Sequence, residues 1–290
     1  MIEDAPYRVI ARGETRDLLG EGLLWSERDD AVYWTDILAP ALNRLSLADG
    51  KLDRWPMPEM IGWVIERAQH PGFIAGFKSG FAELMLDPVT IRHIATPEPH
   101  LPENRLNDAK ADRRGRIWAG SMPIAGDKAT GGLHRLDPDR TIHWIDDGYT
   151  VANGPAFSPD ERWLYHTDSA HRRVYRFAMR DDGSLSDREE FIRFEEDWGH
   201  PDGMTVDAQG HLWIAHWAGG RIGRFTPEGK LSRWITLPAS QITNICFAGS
   251  DLSRMFVTSA AVDRAAEPLA GALFEVDAGV TGLPPGKFGG

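Results

Sequence analysis

A repeat of 41 to 48 residues is the feature that most constrains how this chain can fold. Short runs rich in aromatic and β-branched residues recur along the sequence, separated by turn residues. Aligned on a central large side chain, the runs are centred on Tyr33, Ile74, Trp118, Tyr165, Trp213 and Phe256. Successive centres lie 41, 44, 47, 48 and 43 residues apart. A period in the forties is typical of a propeller blade, which buries its faces only against neighbouring blades.

Each repeat has the same internal order, which indicates antiparallel hairpins. A turn precedes the aromatic run in several repeats, as in DRRG at 112–115, SPDE at 158–161 and DAQG at 207–210. A second strand follows, as in ALNRLSL, GGLHRLD and RRVYRFAM. No segment keeps a 3.6-residue apolar period long enough to predict a helix. We therefore predict an all-β, six-bladed β-propeller with four antiparallel strands per blade, formed as one domain by residues 1–290.

The start of the chain is expected to close this ring. A strand within residues 7–12 is placed to complete the last blade and so to latch the propeller. Closure removes most exposed sheet edges. A β-sandwich and a parallel β-helix are the alternative folds, but a sandwich does not need six near-equal repeats.

Composition argues against several classes of partner. The chain has 32 Lys and Arg against 43 Asp and Glu, a formal charge of −11, so no nucleic-acid partner is expected. No apolar run approaches the roughly 20 residues of a membrane span, so no membrane contact is expected. The single Cys246 cannot form an internal disulfide, and MIEDAPYRVI does not resemble a signal peptide. We expect a cytoplasmic protein, and the sequence does not indicate its oligomeric state.

Four polar side chains share nearly the same phase of the repeat. Glu21 and Asn153 precede the centres of their repeats by 12 residues, and Asn107 and Asp202 precede theirs by 11. Taken singly, the GEG, NG and DG segments are more often plain turns. Because equivalent positions of successive blades point at the same axis, we expect the four side chains to converge at one mouth of the channel.

Such convergence of Glu21, Asn153 and Asp202 predicts one divalent metal ion. Burying unpaired carboxylates costs roughly several kcal/mol each, and a cation between them removes that cost. Oxygen ligands suit Ca²⁺, Mg²⁺ or Mn²⁺ and also accept Zn²⁺ or Fe²⁺, so the identity of the metal stays open. Three protein ligands leave positions for water and substrate, as in a catalytic site.

The motifs around these residues resemble the family of senescence marker protein (regucalcin), gluconolactonase and luciferin-regenerating enzyme. The matching stretches are GEGLLW, NRLNDAKADRRGRIWAGSM, VANGPAFSPDERWLYHTDS, HPDGMTVDAQGHLWIAHWAGGRIGRF and ITNICFAG, in the family's order and over most of the chain. The resemblance implies a six-bladed propeller, a metal held by Glu21, Asn153 and Asp202, and contacts from Arg105 and Asn107 to substrate hydroxyls. Some animal members carry a further Glu after the GSM-like turn. The segment SMPIAG at 121–126 lacks it, so this side of the pocket is expected to differ.

Bacterial members that the chain resembles are typically sugar lactonases. The resemblance thus implies metal-dependent hydrolysis of a sugar aldonolactone, of the gluconolactone or xylonolactone type, to the aldonic acid. Asp202 is the candidate catalytic base, with water activated by the metal itself as the alternative. His200 and His216 are further candidates for the mouth, and Trp63 and Tyr149 for the pocket floor. The absence of a GxSxG motif disfavours a serine esterase.

Three other functions stay open at this stage. A propeller of this kind can be a non-catalytic scaffold, which predicts large exposed apolar surfaces and no converging acids. It can also be a calcium-binding regulatory protein that uses the same metal site. A broader metal-dependent esterase is the third possibility, although Arg105 and Asn107 favour a sugar over an apolar ester.

Overall fold

The computed structural model describes residues 7–9 and 16–290 and confirms the predicted propeller. Its strands form six four-stranded antiparallel sheets. The one helical element in this part of the chain is a 3₁₀ turn at Glu196–Trp198. None of the described residues belongs to a helix long and apolar enough to cross a membrane.

The strands, numbered along the chain from β1 (Tyr7–Val9), run outward from the axis within each blade. The first three blades are formed by β2 (Gly20–Ser26), β3 (Ala31–Asp36), β4 (Ala41–Ser46) and β5 (Leu52–Pro56); by β6 (Ile61–Glu66), β7 (Phe73–Phe77), β8 (Gly80–Leu86) and β9 (Val89–Ala95); and by β10 (Asn104–Ala111), β11 (Ile117–Pro123), β12 (Gly131–Leu136) and β13 (Ile142–Tyr149). The last three are formed by β14 (Ala152–Phe157), β15 (Trp163–Asp168), β16 (Arg173–Ala178) and β17 (Glu189–Arg193); by β18 (His200–Val206), β19 (Leu212–Trp217), β20 (Arg221–Phe225) and β21 (Leu231–Thr236); and by β22 (Ile242–Ala248), β23 (Arg254–Ser259), β24 (Phe274–Asp277) and β1.

The sixth blade joins the two ends of the chain and closes the ring. Strand β1 pairs antiparallel with β24, and Tyr7 lies opposite Val276. This confirms the predicted latch for residues 7–9. Residues 10–12 of the predicted strand lie outside the described residues.

Hydrophobic clusters fill each of the six interfaces between neighbouring blades. Every residue used to align the repeats lies in the second strand of its blade and is at most 4% exposed. In two blades a buried aspartate from the preceding turn also fixes this residue. Asp112 and Asp207 accept hydrogen bonds from the indole N–H groups of Trp118 and Trp213, both at 2.9 Å. The repeat in the sequence is therefore a repeat of core packing.

The last residues of the chain, 279–290, cross the face where each inner strand ends and turns into the second strand. Their backbone bonds to the turns of four blades, through Gly282 N to Leu252 O (2.9 Å), Ala208 N to Thr281 O (2.9 Å), Ala68 N to Phe288 O (2.8 Å) and Gly289 N to Gly115 O (3.0 Å). The ring of Phe288 is fully buried between the second and third blades. This segment closes one end of the channel, so the other end is left as the open mouth.

Candidate active site at the channel mouth

Every inner strand has an irregular pairing with the second strand of its blade. In five blades two residues are skipped in the register, as with Asn107 and Asp108 between the paired residues Leu106 and Ala109. Such a bulge interrupts the alternation of side chains and redirects them. Glu21, Asn107, Asn153 and Asp202 come from these bulges or from the residue just before them, and Arg105 lies two residues before its bulge.

The bulges explain the two spacings seen in the sequence. Glu21 and Asn153 are the last paired residues before their bulges. Asn107 and Asp202 are the first unpaired residues within theirs. The spacings of 12 and 11 residues therefore mark two adjacent positions of the inner strand, and side chains at both positions reach the mouth.

All five residues that the sequence singled out line one cavity of about 630 Å³ at this mouth. None of them is more than 7% exposed; they are Glu21, Arg105, Asn107, Asn153 and Asp202. The cavity wall also includes residues 122 and 124–126, from the segment that was expected to differ within the resembling family. The structure thus brings together side chains that lie up to 181 positions apart in the chain.

Asn244 links two of the buried carboxylates. Its Nδ2 donates to Glu21 Oε2 at 2.9 Å and to Asp108 Oδ2 at 3.2 Å. Its Oδ1 accepts a bond from the backbone N–H of Ile245 at 2.9 Å, which orients the amide. Asn244 and Asp108 are 0% and 1% exposed, so this link belongs to the buried floor of the mouth.

Asn153 contacts the third carboxylate. Its Nδ2 donates to Asp202 Oδ1 and, at 3.3 Å, to Ser169 Oγ. Its Oδ1 is buried and has no hydrogen-bond partner among the described residues. A buried acceptor left without a partner is costly, and a cation is one group that would satisfy it.

Arg105 and Asn107 form a fixed pair on the same floor. Arg105 Nη1 donates to Asn107 Oδ1 at 2.6 Å and to the carbonyl of Leu106 at 3.2 Å. Asn107 Nδ2 donates to the carbonyl of Ala152 at 2.7 Å, across the interface to the next blade. The guanidinium has further N–H groups beyond these two bonds, so the pair can present oriented donors to a ligand.

The acids of this floor are held in an unfavourable electrostatic environment. Burial, together with the charge of Asp108, raises the pKa of Glu21 to about 7. Burial, followed by the charges of Glu21 and Asp108, raises the pKa of Asp202 well above its usual value. Burial lowers the pKa of Arg105 to about 10, although Glu21 and Asp202 act in the opposite direction. Perturbed values of this kind are typical of functional sites.

Two glycines allow the strands to approach this closely. Gly22 has φ 59°, and a Cβ on it would lie 2.4 Å from the carbonyl oxygen of Gly62 in the next blade. A Cβ on Gly203 would lie 2.4 Å from Nδ2 of Asn244. A side chain at either position would push the polar floor apart.

The donor set fits a divalent cation. Glu21, Asp108 and Asp202 carry three negative charges when ionised, and Arg105 supplies one positive charge among the residues on this floor. In residues 7–9 and 16–290, no three His, Cys, Asp or Glu side chains are grouped so as to hold a metal ion. The candidate set therefore consists of two carboxylates, Glu21 and Asp202, completed by the amide oxygen of Asn153.

The remaining sequence candidates divide between the mouth and the core. His200 lines the cavity, with Nδ1 2.8 Å from the carbonyl oxygen of Ser169. His216 is fully buried in the fifth blade, and Tyr149 packs in the core between the third and fourth blades. Trp63 lies beside the lower part of the channel and not on the cavity wall.

Sequence reasoning did not assign roles to Asp108 and Asn244. Asp108 directly follows Asn107, and a bulge turns both side chains toward the site. Asn244 interrupts the otherwise apolar run at 242–248, and it lies 12 residues before Phe256, the spacing of Glu21. That spacing could have identified Asn244 as a residue of the mouth.

Comparison with known proteins shows a family match over most of the chain. Residues 19–261 match the family described as SMP-30/Gluconolactonase/LRE-like region. The chain is 34% identical over 279 residues to the 6-deoxy-6-sulfogluconolactonase of Pseudomonas putida, covering 94% of this chain and 96% of that one. It is 33% identical over 285 residues to the pentonolactonase XacC of Haloferax volcanii, covering 93% and 94%.

A solved structure shares the whole fold. It is described as a calcium-binding protein, regucalcin, from Agrobacterium tumefaciens, and it superposes with a TM-score of 0.93 at 26% identity. The alignment covers 99% of this chain and 98% of that one. The likeness therefore extends over the complete ring of blades and is not confined to a few repeats.

Proposed function

The chain belongs to the SMP-30/gluconolactonase/LRE-like family, and we propose that it hydrolyses a sugar aldonolactone to the aldonic acid with the help of one divalent metal ion. The observation that carries the proposal is the pair of buried carboxylates beside the unpartnered Asn153 Oδ1, on the wall of a cavity that also holds Arg105 and Asn107. The names of two relatives, a sulfogluconolactonase and a pentonolactonase, support a sugar lactone as the substrate.

In this proposal Glu21, Asn153 and Asp202 hold the metal ion. A divalent ion bound there supplies Lewis-acid polarisation of the ester carbonyl. Ca²⁺, Mg²⁺, Mn²⁺, Zn²⁺ and Fe²⁺ are all compatible with two carboxylates and an amide oxygen. The calcium-binding description of the Agrobacterium structure makes Ca²⁺ the first ion to test.

Asp202 is proposed to move the proton. One carboxylate oxygen, Oδ1, is engaged by Asn153 Nδ2, which fixes the plane of the carboxylate. The other oxygen takes a proton from the water that attacks the carbonyl carbon. When the ring C–O bond breaks, the same oxygen returns that proton to the leaving alkoxide, so Asp202 ends each turnover unchanged.

Arg105 and Asn107 are proposed to orient the substrate through its hydroxyl groups. The bond between Arg105 Nη1 and Asn107 Oδ1, at 2.6 Å, and the bond from Asn107 to Ala152 O, at 2.7 Å, leave neither side chain free to rotate. A pre-oriented pair loses little conformational entropy when it binds the ring hydroxyls. Orientation of the ester against Asp202 then lowers the barrier to attack.

A calcium-binding regulatory role is the second candidate, favoured by the description of the Agrobacterium structure. It uses the same three ligands and predicts metal binding without turnover of any lactone. A screen of aldonolactones with the metal-loaded protein separates the two functions, because only the enzyme releases acid.

The central test replaces Asp202 by Asn, which keeps the shape and removes the base. We expect kcat/KM for aldonolactones to fall by at least about 1,000-fold, equivalent to about 4 kcal/mol of transition-state stabilisation. Acid release is followed by pH indicator, and metal content is measured separately on the same samples. Asp160→Asn, at an exposed turn of the fourth blade, is the matched control and should keep full activity.

Two results would contradict the proposal. If the Asp202→Asn variant still binds metal and its rate stays within about tenfold of wild type, Asp202 has no part in the mechanism. Chelated protein that retains full activity would remove the metal. Restoring each ion in turn identifies the one that supports the highest rate.

We also propose a cytoplasmic location. Cys246, the only cysteine in the sequence, is buried and unpaired. Burial raises the pKa of its thiol to about 12, so little thiolate is present for disulfide exchange. Cell fractionation of the native host tests this location. Detection of the protein mainly outside the cytoplasmic fraction would contradict it.

A further inference from the structure

A ring of apolar side chains surrounds the cavity at the level of the loops. Each blade contributes one member, and the six are Leu38, Met60, Ile124, Val151, Trp217 and Val262. Leu38 and Ile124 are 38% and 37% exposed, and the other four are only partly buried. Apolar groups left half-covered around a cavity mark a surface that a ligand covers.

The polar groups of the cavity are concentrated on its floor. Glu21, Asn153 and Asp202 lie there with the Arg105–Asn107 pair, and all are nearly fully buried. A lactone held by its carbonyl at this floor places the hydroxyls next to the carbonyl against the same polar groups. The substituent at the far end of its carbon chain then lies at the apolar ring.

Few polar partners remain at the level of the ring. The Nδ1 of His200 lies 2.8 Å from the Ser169 carbonyl oxygen, which leaves only Nε2 for a ligand. Ser169 Oγ accepts a bond from Asn153 Nδ2 at 3.3 Å. Asp263 is exposed and negatively charged, so it repels an anionic substituent. Among the described residues that line the cavity, Arg105 on the floor is the one Lys or Arg.

These contacts discriminate between substituents at the end of the sugar chain. A hydroxyl placed against the ring gives up hydrogen bonds to water and finds few replacements. A negatively charged group has no cation at this level to neutralise it. A methyl group has no hydrogen bonds to water to lose, and it buries apolar surface against the ring.

Resting on the proposed lactonase activity, we infer that the substrate is a deoxy-sugar lactone, an uncharged aldonolactone whose terminal carbon is a methyl group. The polar floor recognises the hydroxyls beside the ester, and the apolar ring recognises the methyl end. The lactonase activity and the preference for a methyl end are separate properties, so they can be tested separately.

The test compares lactones that differ only in the terminal hydroxyl. Suitable pairs are L-fucono-1,4-lactone with L-galactono-1,4-lactone, and L-rhamnono-1,4-lactone with L-mannono-1,4-lactone. The comparison uses whichever of the two pairs is hydrolysed faster. Within that pair we expect kcat/KM of the deoxy lactone to be about tenfold higher than that of the hydroxylated lactone, because an apolar wall discriminates against an added hydroxyl to about this extent. A ratio below about threefold in that pair would overturn the inference.

Variants of the ring identify the source of the preference. Val151→Thr places a hydroxyl at the ring with little change of shape, and Ile124→Thr places one there with the loss of one methyl group. Each should lower the ratio at least about threefold by improving hydrolysis of the hydroxylated lactone. Val89→Thr and Ile91→Thr are matched controls, because these residues are 42% and 38% exposed on β9 at the outside of the second blade. The controls should leave the ratio unchanged. If the ring variants also leave it unchanged, the ring does not determine specificity.

The two proposals fail in different ways. If the hydroxylated lactones are hydrolysed as fast as the deoxy members, the lactonase proposal stands and the inference is wrong. If no aldonolactone of either kind is opened with any of the five candidate ions, the lactonase proposal fails and the inference falls with it.

Discussion

The two ends of the central channel are built from the same inner strands and differ in almost every physical property. At the mouth, Glu21, Asp108 and Asp202 are buried together, and apolar side chains around them are half-exposed. At the opposite end the C-terminal segment covers the channel, and Phe288 is fully buried beneath it. Residues at the mouth leave polar groups unsatisfied and apolar groups uncovered.

This difference indicates that one end of each inner strand serves the site and the other end stabilises the fold. The start of β2 carries Glu21, and its later residues Leu23 and Trp25 pack against the sixth blade. Stability lost through buried like charges at one end is offset by apolar burial and backbone hydrogen bonds at the other. Substitutions at the mouth should therefore reduce activity and spare stability, and substitutions at the closed end should do the reverse.

The largest expected effect is that of Glu21→Gln. We expect kcat/KM to fall by about 1,000-fold or more, because the cavity loses one of two proposed carboxylate ligands. The folded protein raises the pKa of Glu21 from 4.5 to about 7. The free energy of unfolding contributed by this residue therefore falls as pH rises from about 4.5 to about 7, and the loss is complete above that pH. At pH 8 with chelator, the variant should be more stable than wild type by about 1 kcal/mol or more in urea unfolding. The exposed Glu228→Gln is the matched control, and a variant less stable than wild type would break the comparison.

Phe288→Ala tests the closed end. The ring is 0% exposed between the second and third blades, so its removal should lower the free energy of unfolding by about 3–4 kcal/mol. We expect kcat/KM at 25 °C to stay within about threefold of wild type, because no proposed catalytic group contacts this residue. The milder Phe288→Leu should cost about 1 kcal/mol. Activity that falls in parallel with stability would show that the two ends are not independent.

Arg105→Lys tests the polar floor without removing its charge. The ammonium of lysine cannot reproduce the planar guanidinium that bonds both Asn107 Oδ1 and Leu106 O. We expect kcat/KM to fall by about 30- to 100-fold, mostly through KM, with stability within about 1 kcal/mol of wild type. Arg254→Lys, at the bidentate pair with Glu275 in the sixth blade, is the control. A loss confined to kcat would reassign Arg105 from binding to the chemical step.

The smallest expected effect concerns acid pH. His166 is fully buried, and its ring nitrogens have no partners among the described residues; burial lowers its pKa from 6.5 to about 3. Because the unfolded chain binds the proton more readily, this residue costs stability as pH falls below about 6.5. Relative to wild type, His166→Leu should therefore gain about 1–2 kcal/mol in urea unfolding between pH 7 and pH 5. The exposed His70→Leu should show no such change, and an equal gain in both variants would refute the assignment.

Much of the fold followed from local patterns in the sequence. Each hairpin needs a large buried side chain at its centre and turn residues at its end. The six repeat centres, the aspartate turns and the glycines around Glu21 reflect these local requirements. The fold confirms the blade count and the latch at residues 7–9 for this reason. The roles of Glu21, Asn153 and Asp202 stay predictions, although the structure places all three on one cavity.

The register of the inner strands was harder to predict. Asn244 lies 12 residues before Phe256, as Glu21 lies before Tyr33, but it occupies the second unpaired position of its bulge. The reason is that Phe256 follows its partner Cys246 by ten residues and Tyr33 follows its partner Leu24 by nine, and that Cys246 is the second paired residue after its bulge where Leu24 is the first; the two positions therefore differ by two residues. Spacing identifies the strand that carries a polar residue, and the bulge decides where the side chain points.

The sequence by itself determined the repeating unit, the number of blades and the polar residues that do not suit a core. Tertiary structure alone decided which further side chains join these residues at the mouth, because the Asn244–Glu21 link and the apolar ring involve residues that lie far apart in the chain. The same holds for the closed end, where the backbone of Phe288 bonds to Glu66 and Ala68 of the second blade. Contacts between distant segments depend on ring closure, and a local pattern of residues does not encode the geometry of that closure.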